Sequence, residues 1–92
     1  IPNKVALYPA YPNPFNPVTT LRFDIPNSDI SQKVLILIYD INGRQVESLV
    51  NGSKLPGAYQ IKWQADQFAS GMYFAKLISG EIVKTQKIIL LK

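Results

Sequence analysis

Histidine and cysteine, the side chains most often used for nucleophile activation and zinc binding, are both absent from this chain of 92 residues. The common zinc-binding sets and the nucleophile pairs that depend on histidine therefore cannot form. Acid–base chemistry is left to carboxylates, which are Asp24, Asp29, Asp40, Glu47, Asp66 and Glu81. Glycoside hydrolysis needs two carboxylates facing across a cleft. Because these lie mostly at strand ends and on polar faces, we predict no enzyme activity, no cofactor and no catalytic or metal site.

The segment Asp40–Gly43 is similar to the start of a calcium-binding loop. A full loop needs further acidic positions and a distal glutamate, neither of which follows here. The Asp40 side chain can instead accept backbone N–H groups, and Asn42 and Gly43 tolerate positive φ. The segment therefore predicts a hairpin turn.

Aromatic side chains offer a second kind of chemistry, because their faces stack on sugar rings. The candidates are Tyr8, Tyr11, Tyr59 and Trp63. Trp63 and Tyr59 alternate with polar residues and share strand parity with Ile61, which favours the core for both. A sugar-binding platform remains the alternative.

The charge of the chain points to no nucleic-acid partner. The net charge is +4 and the pI is near 9.5, but the basic residues are spread from Lys4 to Lys92 without a run. Nucleic-acid binding needs a clustered basic surface.

No apolar stretch approaches the ~20 residues of a transmembrane helix, so we predict no transmembrane segment. The start at Ile1 rather than methionine indicates an excerpt of a longer protein.

Hydrophobic alternation with period two, broken by turn residues, runs through most of the chain. It predicts a single all-β domain, an immunoglobulin-like antiparallel β-sandwich of about seven strands. Turns or loops are expected at Pro26–Asp29, Asn51–Gly57 and Asp66–Gly71. The expected strands are Val18–Ile25, Lys33–Asp40, Arg44–Val50, Tyr59–Gln64, Met72–Ile78 and Ile82–Leu91, with Val5–Tyr8 as an edge candidate.

The first part of the chain, residues 1–17, is rich in proline and cannot form a helix or a central strand. We expect it to pack on a sandwich formed by residues 18–92. Asn13 and Asn16 can form Asx-turns within it, and Phe15 can plug one end of the sandwich.

The strand Lys33–Asp40 is apolar on both faces, which predicts a central position in its sheet. If Val34, Ile36 and Ile38 face the core, the outward residues form a candidate partner patch. That patch consists of Leu35, Leu37 and Tyr39. An apolar patch needs a cover. We expect the proline-rich segment to cover it, with a partner protein or a second copy as the alternatives.

Three sequence blocks, taken together and in order, resemble a known family. The first is Tyr11–Pro17 followed by Thr19–Phe23, and the second is Ile38–Val46. The third comprises Leu55–Gly57, Trp63, Ala69–Phe74 and Lys87–Lys92. They resemble the type A C-terminal sorting domain of the type IX secretion system (Por secretion), and the related immunoglobulin-like domain of the flagellar hook-cap protein.

This resemblance implies a non-catalytic secretion signal at the end of a larger extracellular protein. The implied partners are outer-membrane secretion machinery, a sortase-like protease that removes the domain, and a covalently linked upstream cargo, often a hydrolase or adhesin. The implied location is extracellular or on the outer cell surface, reached through the periplasm.

The end of the chain supplies the candidate contacts of a sorting receptor. They are Lys87, Ile88, Ile89, Leu90, Leu91 and Lys92. We expect the last strand to be an edge strand, whose unpaired backbone groups a receptor can bind by strand addition. The alternative is an accessory module, carbohydrate-binding or a spacer, of an extracellular hydrolase.

Overall fold

The computed structural model describes residues 4–26 and 32–92, and within these ranges it contains strands and no helix. The strands are β1 (Ala6–Leu7), β2 (Val18–Ile25), β3 (Gln32–Tyr39), β4 (Gln45–Lys54), β5 (Gly57–Gln64), β6 (Gly71–Ser79) and β7 (Ile82–Leu90). The prediction of an all-β fold of about seven strands is confirmed.

The strands form two antiparallel sheets that face each other. The small sheet has the order β1-β2-β5, and the large sheet has the order β4-β3-β6-β7. β3 lies between β4 and β6, as its two apolar faces predicted, while β7 is an edge strand. β4, the other edge of the large sheet, is bulged opposite Ile36/Leu37 and Ile38/Tyr39.

The core fills the space between the inner faces of the two sheets. Leu21, Phe23 and Ile25 on β2 alternate with polar residues, and all belong to one buried cluster with Ile36 and Ile38 of β3. Alternation therefore places the apolar side of each strand inward, as expected for side chains with period two. Hydrophobic burial across this interface is the main source of stability.

One predicted loop is wrong. Asn51–Gly57 was expected to be irregular, but β4 continues to Lys54 and β5 begins at Gly57. Asn51 pairs with Leu35 and Lys54 pairs with Gln32, because β3 offers backbone partners along its whole length. Polar residues extend the strand here because their side chains remain at the surface. The predicted turn at Pro26–Asp29 lies outside the described residues beyond Pro26.

The strand register defines two ends of the sandwich. Val18 pairs with Gln64, Tyr39 with Phe74, and Gly71 with Leu90, so these residues share one end. We call this end the C-terminal pole, and define it as residues 9–19, 39–45, 63–74 and 87–92. The opposite pole contains Pro26, Leu55–Gly57 and Gly80.

The buried tryptophan provides a direct test of the fold. Trp63 is 1% exposed, so Trp63→Ala should lower the free energy of unfolding by about 3–5 kcal/mol, through lost burial and the cavity left behind. The measurement is urea denaturation. Gln64→Ala, at an exposed position on the same strand, should change it by less than about 0.5 kcal/mol. Similar stabilities of the two variants would contradict the assignment of Trp63 to the core.

Candidate functional site

The C-terminal pole gathers most of the sequence blocks that carry the family resemblance. The proline-rich residues, the hairpin after β3, the end of β5 and the end of β7 all lie there. Of the quoted blocks, Leu55–Gly57 lies at the opposite pole. Residues far apart in sequence thus form one surface, which makes this pole the candidate functional site.

Residues 8–17, which we call the proline strap, run along the side of the sandwich from one sheet to the other. The peptide bonds before Pro12, Pro14 and Pro17 are cis. On the small sheet, the Tyr8 N–H donates to the Arg22 carbonyl at 2.9 Å. Tyr11 and Thr20 exchange two backbone hydrogen bonds of 3.1 and 3.0 Å. The strap therefore extends the small sheet beyond β1.

The same strap is bonded to the end of β7 on the large sheet. The Phe15 N–H donates to the Ile89 carbonyl at 2.9 Å, and the Leu91 N–H donates to the Phe15 carbonyl at 2.9 Å. Asn13 adds two side-chain bonds: its Nδ2 donates to the Lys87 carbonyl at 3.1 Å, and its Oδ1 accepts the Ile89 N–H at 3.0 Å. An Asx-turn would have required the Asn13 side chain to bond to neighbouring backbone groups. These two bonds go to β7 instead.

Gln86 makes a further link between strap and edge strand. Its Nε2 donates to the Tyr8 carbonyl and its Oε1 accepts the Ala10 N–H, both at 2.8 Å. An amide side chain can satisfy one donor and one acceptor of a backbone at once. Sequence reasoning missed Gln86, because its partners lie far away in the chain.

These bonds change the expectation for the edge of β7. The outward backbone groups of Lys87, Ile89 and Leu91 were expected to be unpaired, but Asn13 and Phe15 already bind them. A receptor that adds a strand here would first have to displace the strap. Side chains at this end are therefore more accessible than its backbone.

An aromatic cluster closes the pole from inside. Trp63 contacts Phe15, Phe68 and Tyr73, with ring centroids 5.6, 5.4 and 5.3 Å away. The Tyr73 hydroxyl donates to the Ala69 carbonyl at 2.6 Å. The predictions that Trp63 lies in the core and that Phe15 plugs one end are confirmed. The Trp63 indole N–H has no hydrogen-bond partner among the described residues, so its surroundings are apolar and aromatic.

The candidate receptor contacts separate into two sets. Ile88 and Leu90 are fully buried in the core and anchor β7. Lys87, Leu91 and Lys92 are exposed, and Ile89 is half-buried on the outer face of the large sheet.

Lys92 joins the end of the chain to the loop after β5. Its backbone N–H donates to Ser70 Oγ at 3.0 Å, and its Nζ donates to the carbonyls of Phe68, at 2.8 Å, and Asp66. This loop and the end of β7 therefore present one continuous surface. Ser70 is another contributor that the sequence alone did not single out.

The hairpin at Asp40–Gly43 has the geometry predicted for a turn. Asp40 Oδ1 accepts the N–H groups of Arg44 and Asn42 at 3.0 and 2.9 Å, and Gly43 has φ of 81°. The backbone hydrogen bond from Arg44 is the largest cause that holds the pKa of Asp40 below its ordinary value, with further contributions from the Asn42 N–H and the Arg44 guanidinium. The Asp40 oxygens are thus engaged by protein donors.

The candidate partner patch lies on the outer face of the large sheet, beside the pole. Leu35 and Tyr39 are half-buried and Leu37 is 9% exposed. The strap's hydrogen bonds go to β2 and β7 rather than to β3, so they give no support to the expected cover. A shallow groove of about 320 Å³ opens on this face between Tyr39, Phe74, Lys76 and Thr85.

The carboxylates do not form a metal site within residues 4–26 and 32–92, where no group of three or more metal-ligating side chains occurs. Asp24 accepts the hydroxyl of Tyr8, and this hydrogen bond raises the pKa of that hydroxyl. Asp29 lies outside the described residues. Within the same ranges, no helix is long and apolar enough to cross a membrane.

Comparison with known proteins gives one informative result. The family model described as the secretion system C-terminal sorting domain matches residues 9–91. Among curated proteins and among solved structures, none matches the chain. The matched range begins within the strap and ends at Leu91, so it spans both segments that meet at the pole.

Asn13 provides a test of how the strap holds β7. Asn13→Ala removes two hydrogen bonds and leaves the Ile89 N–H without its acceptor, so unfolding should become easier by about 1–2 kcal/mol. Amide hydrogen exchange at Ile89 should accelerate. Asn16→Ala is the matched control, since Asn16 is exposed and its side chain bonds to none of the described residues. An unchanged Ile89 exchange rate would show that Asn13 does not restrain this edge.

The lowered pKa of Asp40 predicts a pH dependence of the hairpin. A carboxyl group with a lower pKa in the folded state stabilises it fully above the ordinary value of 3.8, and less as the pH falls through the folded pKa. Carboxyl NMR titration should therefore place the Asp40 midpoint below that value, and the protection factors of the hairpin amides, which correct for the pH dependence of intrinsic exchange, should fall in acid. Asp40→Asn should abolish the titration. A midpoint at or above the ordinary value would refute the hydrogen-bonding scheme.

Proposed function

The chain belongs to the family of secretion system C-terminal sorting domains, and from this premise we propose that its C-terminal pole is the surface which the secretion machinery reads. The family acts as a sorting signal for type IX secretion, so the protein that carries it is exported and interacts with that machinery. The proposal adds the location of the signal and the residues that form it.

The observation that carries this proposal is the alternation at the end of β7. Ile88 and Leu90 are buried and fix the strand, while Lys87, Ile89, Leu91 and Lys92 project outward next to the Asp66–Ser70 loop. A receptor therefore meets a rigid set of apolar and basic side chains. Preorganised side chains bind with less loss of entropy than a flexible tail would.

The strap favours one of two ways in which a receptor could bind the end of β7. Strand addition at Lys87–Leu91 would break the backbone bonds of Phe15 and the side-chain bonds of Asn13. Each is worth about 1 kcal/mol net, and broken bonds must be replaced by equivalent ones. We therefore propose that the receptor reads side chains of the pole with the strap in place.

The remaining steps of the proposed role concern the larger protein. We propose that a covalently linked cargo domain, such as a hydrolase or an adhesin, precedes residue 1 and passes through the periplasm with this domain. A sortase-like protease would then release the domain, and the cargo would remain extracellular or attached to the outer surface. β1 supports this arrangement, because Ala6 pairs with Asp24 near the pole opposite to the proposed signal. Cargo entering there would leave the C-terminal pole accessible.

We propose no catalytic role for this domain, and a sorting signal needs none. The relationship to the immunoglobulin-like domain of the flagellar hook-cap protein is likewise proposed on the sequence blocks and the sandwich architecture.

The alternative function, a carbohydrate-binding accessory module, has weak geometric support. Trp63 is buried, so it cannot stack on a sugar. Tyr8 and Tyr59 do line a groove of about 260 Å³ on the small sheet. However, the Tyr8 hydroxyl binds Asp24, and the Arg22 guanidinium lies 5.7 Å from its ring centroid. Binding on a glycan array would favour the carbohydrate-binding form of the accessory module, whereas a spacer would bind no glycan.

Export of a reporter tests the proposed signal. Residues 1–92, fused behind a periplasm-targeted reporter, should carry it to the surface of a host that has the type IX system. Leu91→Asp should strongly reduce the amount of reporter at the cell surface, because the pole loses an exposed apolar side chain. Leu55→Asp is the matched control, since both leucines are exposed, by 55% and 68%, at opposite poles.

Both variants should melt like the parent, since neither side chain is buried. Deletion of residues 88–92 is less informative, because it also removes the core residues Ile88 and Leu90. Retention of the intact fusion in the periplasm would refute the sorting role for this chain. Equal export of the two leucine variants would leave the role intact but move the signal away from Leu91.

A further inference from the structure

The outer face of the large sheet is unusually apolar for a surface. Its register forms rows across the strands, and one row consists of Leu35, Ile78 and Val83. Another row brings Tyr39 beside Phe74. Val83 is 49% exposed. The other residues of these two rows, which are Leu35, Tyr39, Phe74 and Ile78, are half-buried. Contiguous apolar surface of this kind marks an interaction site.

The charged residues at the described outward strand positions of this face are all of one sign. Lys33, Lys76 and Lys87 occupy outward positions of β3, β6 and β7, and the outward described positions of these strands carry no carboxylate. None of the three has an ion-pair partner among the described residues. Lys76 Nζ lies 5.5 Å from the centroid of the Tyr39 ring, so a cation–π contact holds the ammonium over the face.

The outer face of the small sheet is different. Its outward positions include Arg22, Asp24, Lys62 and Gln60, which mix both signs with neutral polar groups. This is the ordinary composition of a solvated sheet face. The contrast within one molecule shows that the apolar, cationic face is a local feature and does not follow from the composition of the chain.

We propose that the outer face of the large sheet binds an extended segment of a partner protein that carries aliphatic and acidic side chains in turn at every second position. Successive side chains of an extended segment point to opposite sides, so residues two apart face the sheet together. Its aliphatic side chains cover the apolar rows and its carboxylates meet the lysines. This interaction does not rest on the sorting role. Its central cation Lys76 and the row of Leu35, Ile78 and Val83 lie outside the pole, whereas Tyr39, Phe74 and Lys87 belong to both surfaces.

The position of Lys76 discriminates between this occupant and others. Lys76 lies in the middle row, between Leu37 and Thr85, with apolar rows on both sides. Insertion into a lipid surface would bury this ammonium in hydrocarbon, which is costly. A second copy stacked on the same face would bring lysines together, and like charges repel. A carboxylate of a partner segment satisfies the ammonium instead.

The groove on this face gives the interaction a specific anchor point. Its lining combines the rings of Tyr39 and Phe74 with the Lys76 ammonium and Thr85. Asp40 also lines it, but the oxygens of this carboxylate are bound by Asn42 and Arg44. The groove's volume of about 320 Å³ accommodates one aliphatic side chain together with the carboxylate two residues along the segment. Binding therefore requires both features of the ligand, two positions apart in sequence.

A pair of synthetic peptides tests the proposal. One is an acetylated and amidated heptapeptide with leucine at positions 1 and 5, glutamate at positions 3 and 7 and serine between them, and the other has lysine in place of glutamate. Amide NMR spectra of the labelled chain should show shifts at Leu37, Tyr39 and Lys76 with the glutamate peptide, and none with the lysine peptide. Lys76→Glu should weaken binding of the glutamate peptide by about tenfold or more, and should create binding of the lysine peptide.

Lys62→Glu is the matched control, because Lys62 occupies an outward strand position on the small sheet. It should leave both responses unchanged. Lys76→Gln, which keeps the length of the side chain without the charge, should weaken binding while the spectrum stays that of the folded chain. Equal responses to the two peptides, or insensitivity to Lys76→Glu, would overturn the proposal. So would concentration-dependent shifts of this face without peptide, or binding of the face to phosphatidylglycerol vesicles.

Discussion

The two sheets of this sandwich share few direct backbone contacts, and the proline strap supplies the hydrogen bonds that join them. Tyr8 and Tyr11 bond to β2, while Asn13 and Phe15 bond to the end of β7. Without these bonds, the outward backbone groups of β7 at the pole would be open to solvent or to another strand. Proline suits the strap, because it fixes φ and removes N–H groups that would have no partner. The aromatic cluster below it depends on this arrangement, since Phe15 reaches Trp63 only when the strap is bonded to both sheets.

The two edges of the large sheet are protected from pairing with a further strand in different ways. At β4, register shifts opposite Ile36/Leu37 and Ile38/Tyr39 distort the ladder, which discourages pairing with a further strand. At β7, the strap binds the half of the strand that is nearest the pole. The outer face of the sheet is not protected in this way and combines apolar rows with lysines. On the large sheet, the edges are thus less open to strand pairing, while the outer face stays accessible to side-chain contacts.

The sequence was informative wherever a feature depends on local pattern. Alternation located β2 and β5, the two apolar faces of β3 predicted its central position, and the residues Asp40–Gly43 predicted the hairpin. The parity argument for Trp63 was also sufficient. β4 beyond Val50 could not be predicted, because Asn51–Lys54 are strand residues only through pairing with β3.

The strap could not be predicted in detail for the same reason. Asn13 was expected to bond locally, but its partners at Lys87 and Ile89 lie 74 and 76 residues away. No local sequence pattern indicates a contact between residues so far apart in the chain. The candidate contacts at the end of the chain were predicted as a continuous run, whereas strand alternation divides them into buried anchors and exposed side chains. The lysines of the outer face were visible as residues, but only the strand register brings them onto one surface.

The sequence separation of the strap bonds has a consequence for the order in which the domain forms. Ala10 and Gln86 are bonded across 76 residues, so the strap cannot dock until the last strand is available. Contacts between such distant segments form late, because the intervening chain must first lose its freedom. A chain that emerges from its beginning, or that is truncated before β7, therefore lacks the bonds that close the pole. The pole therefore closes only after β7 has been made and has paired, so its closure couples the first and the last strands of the domain.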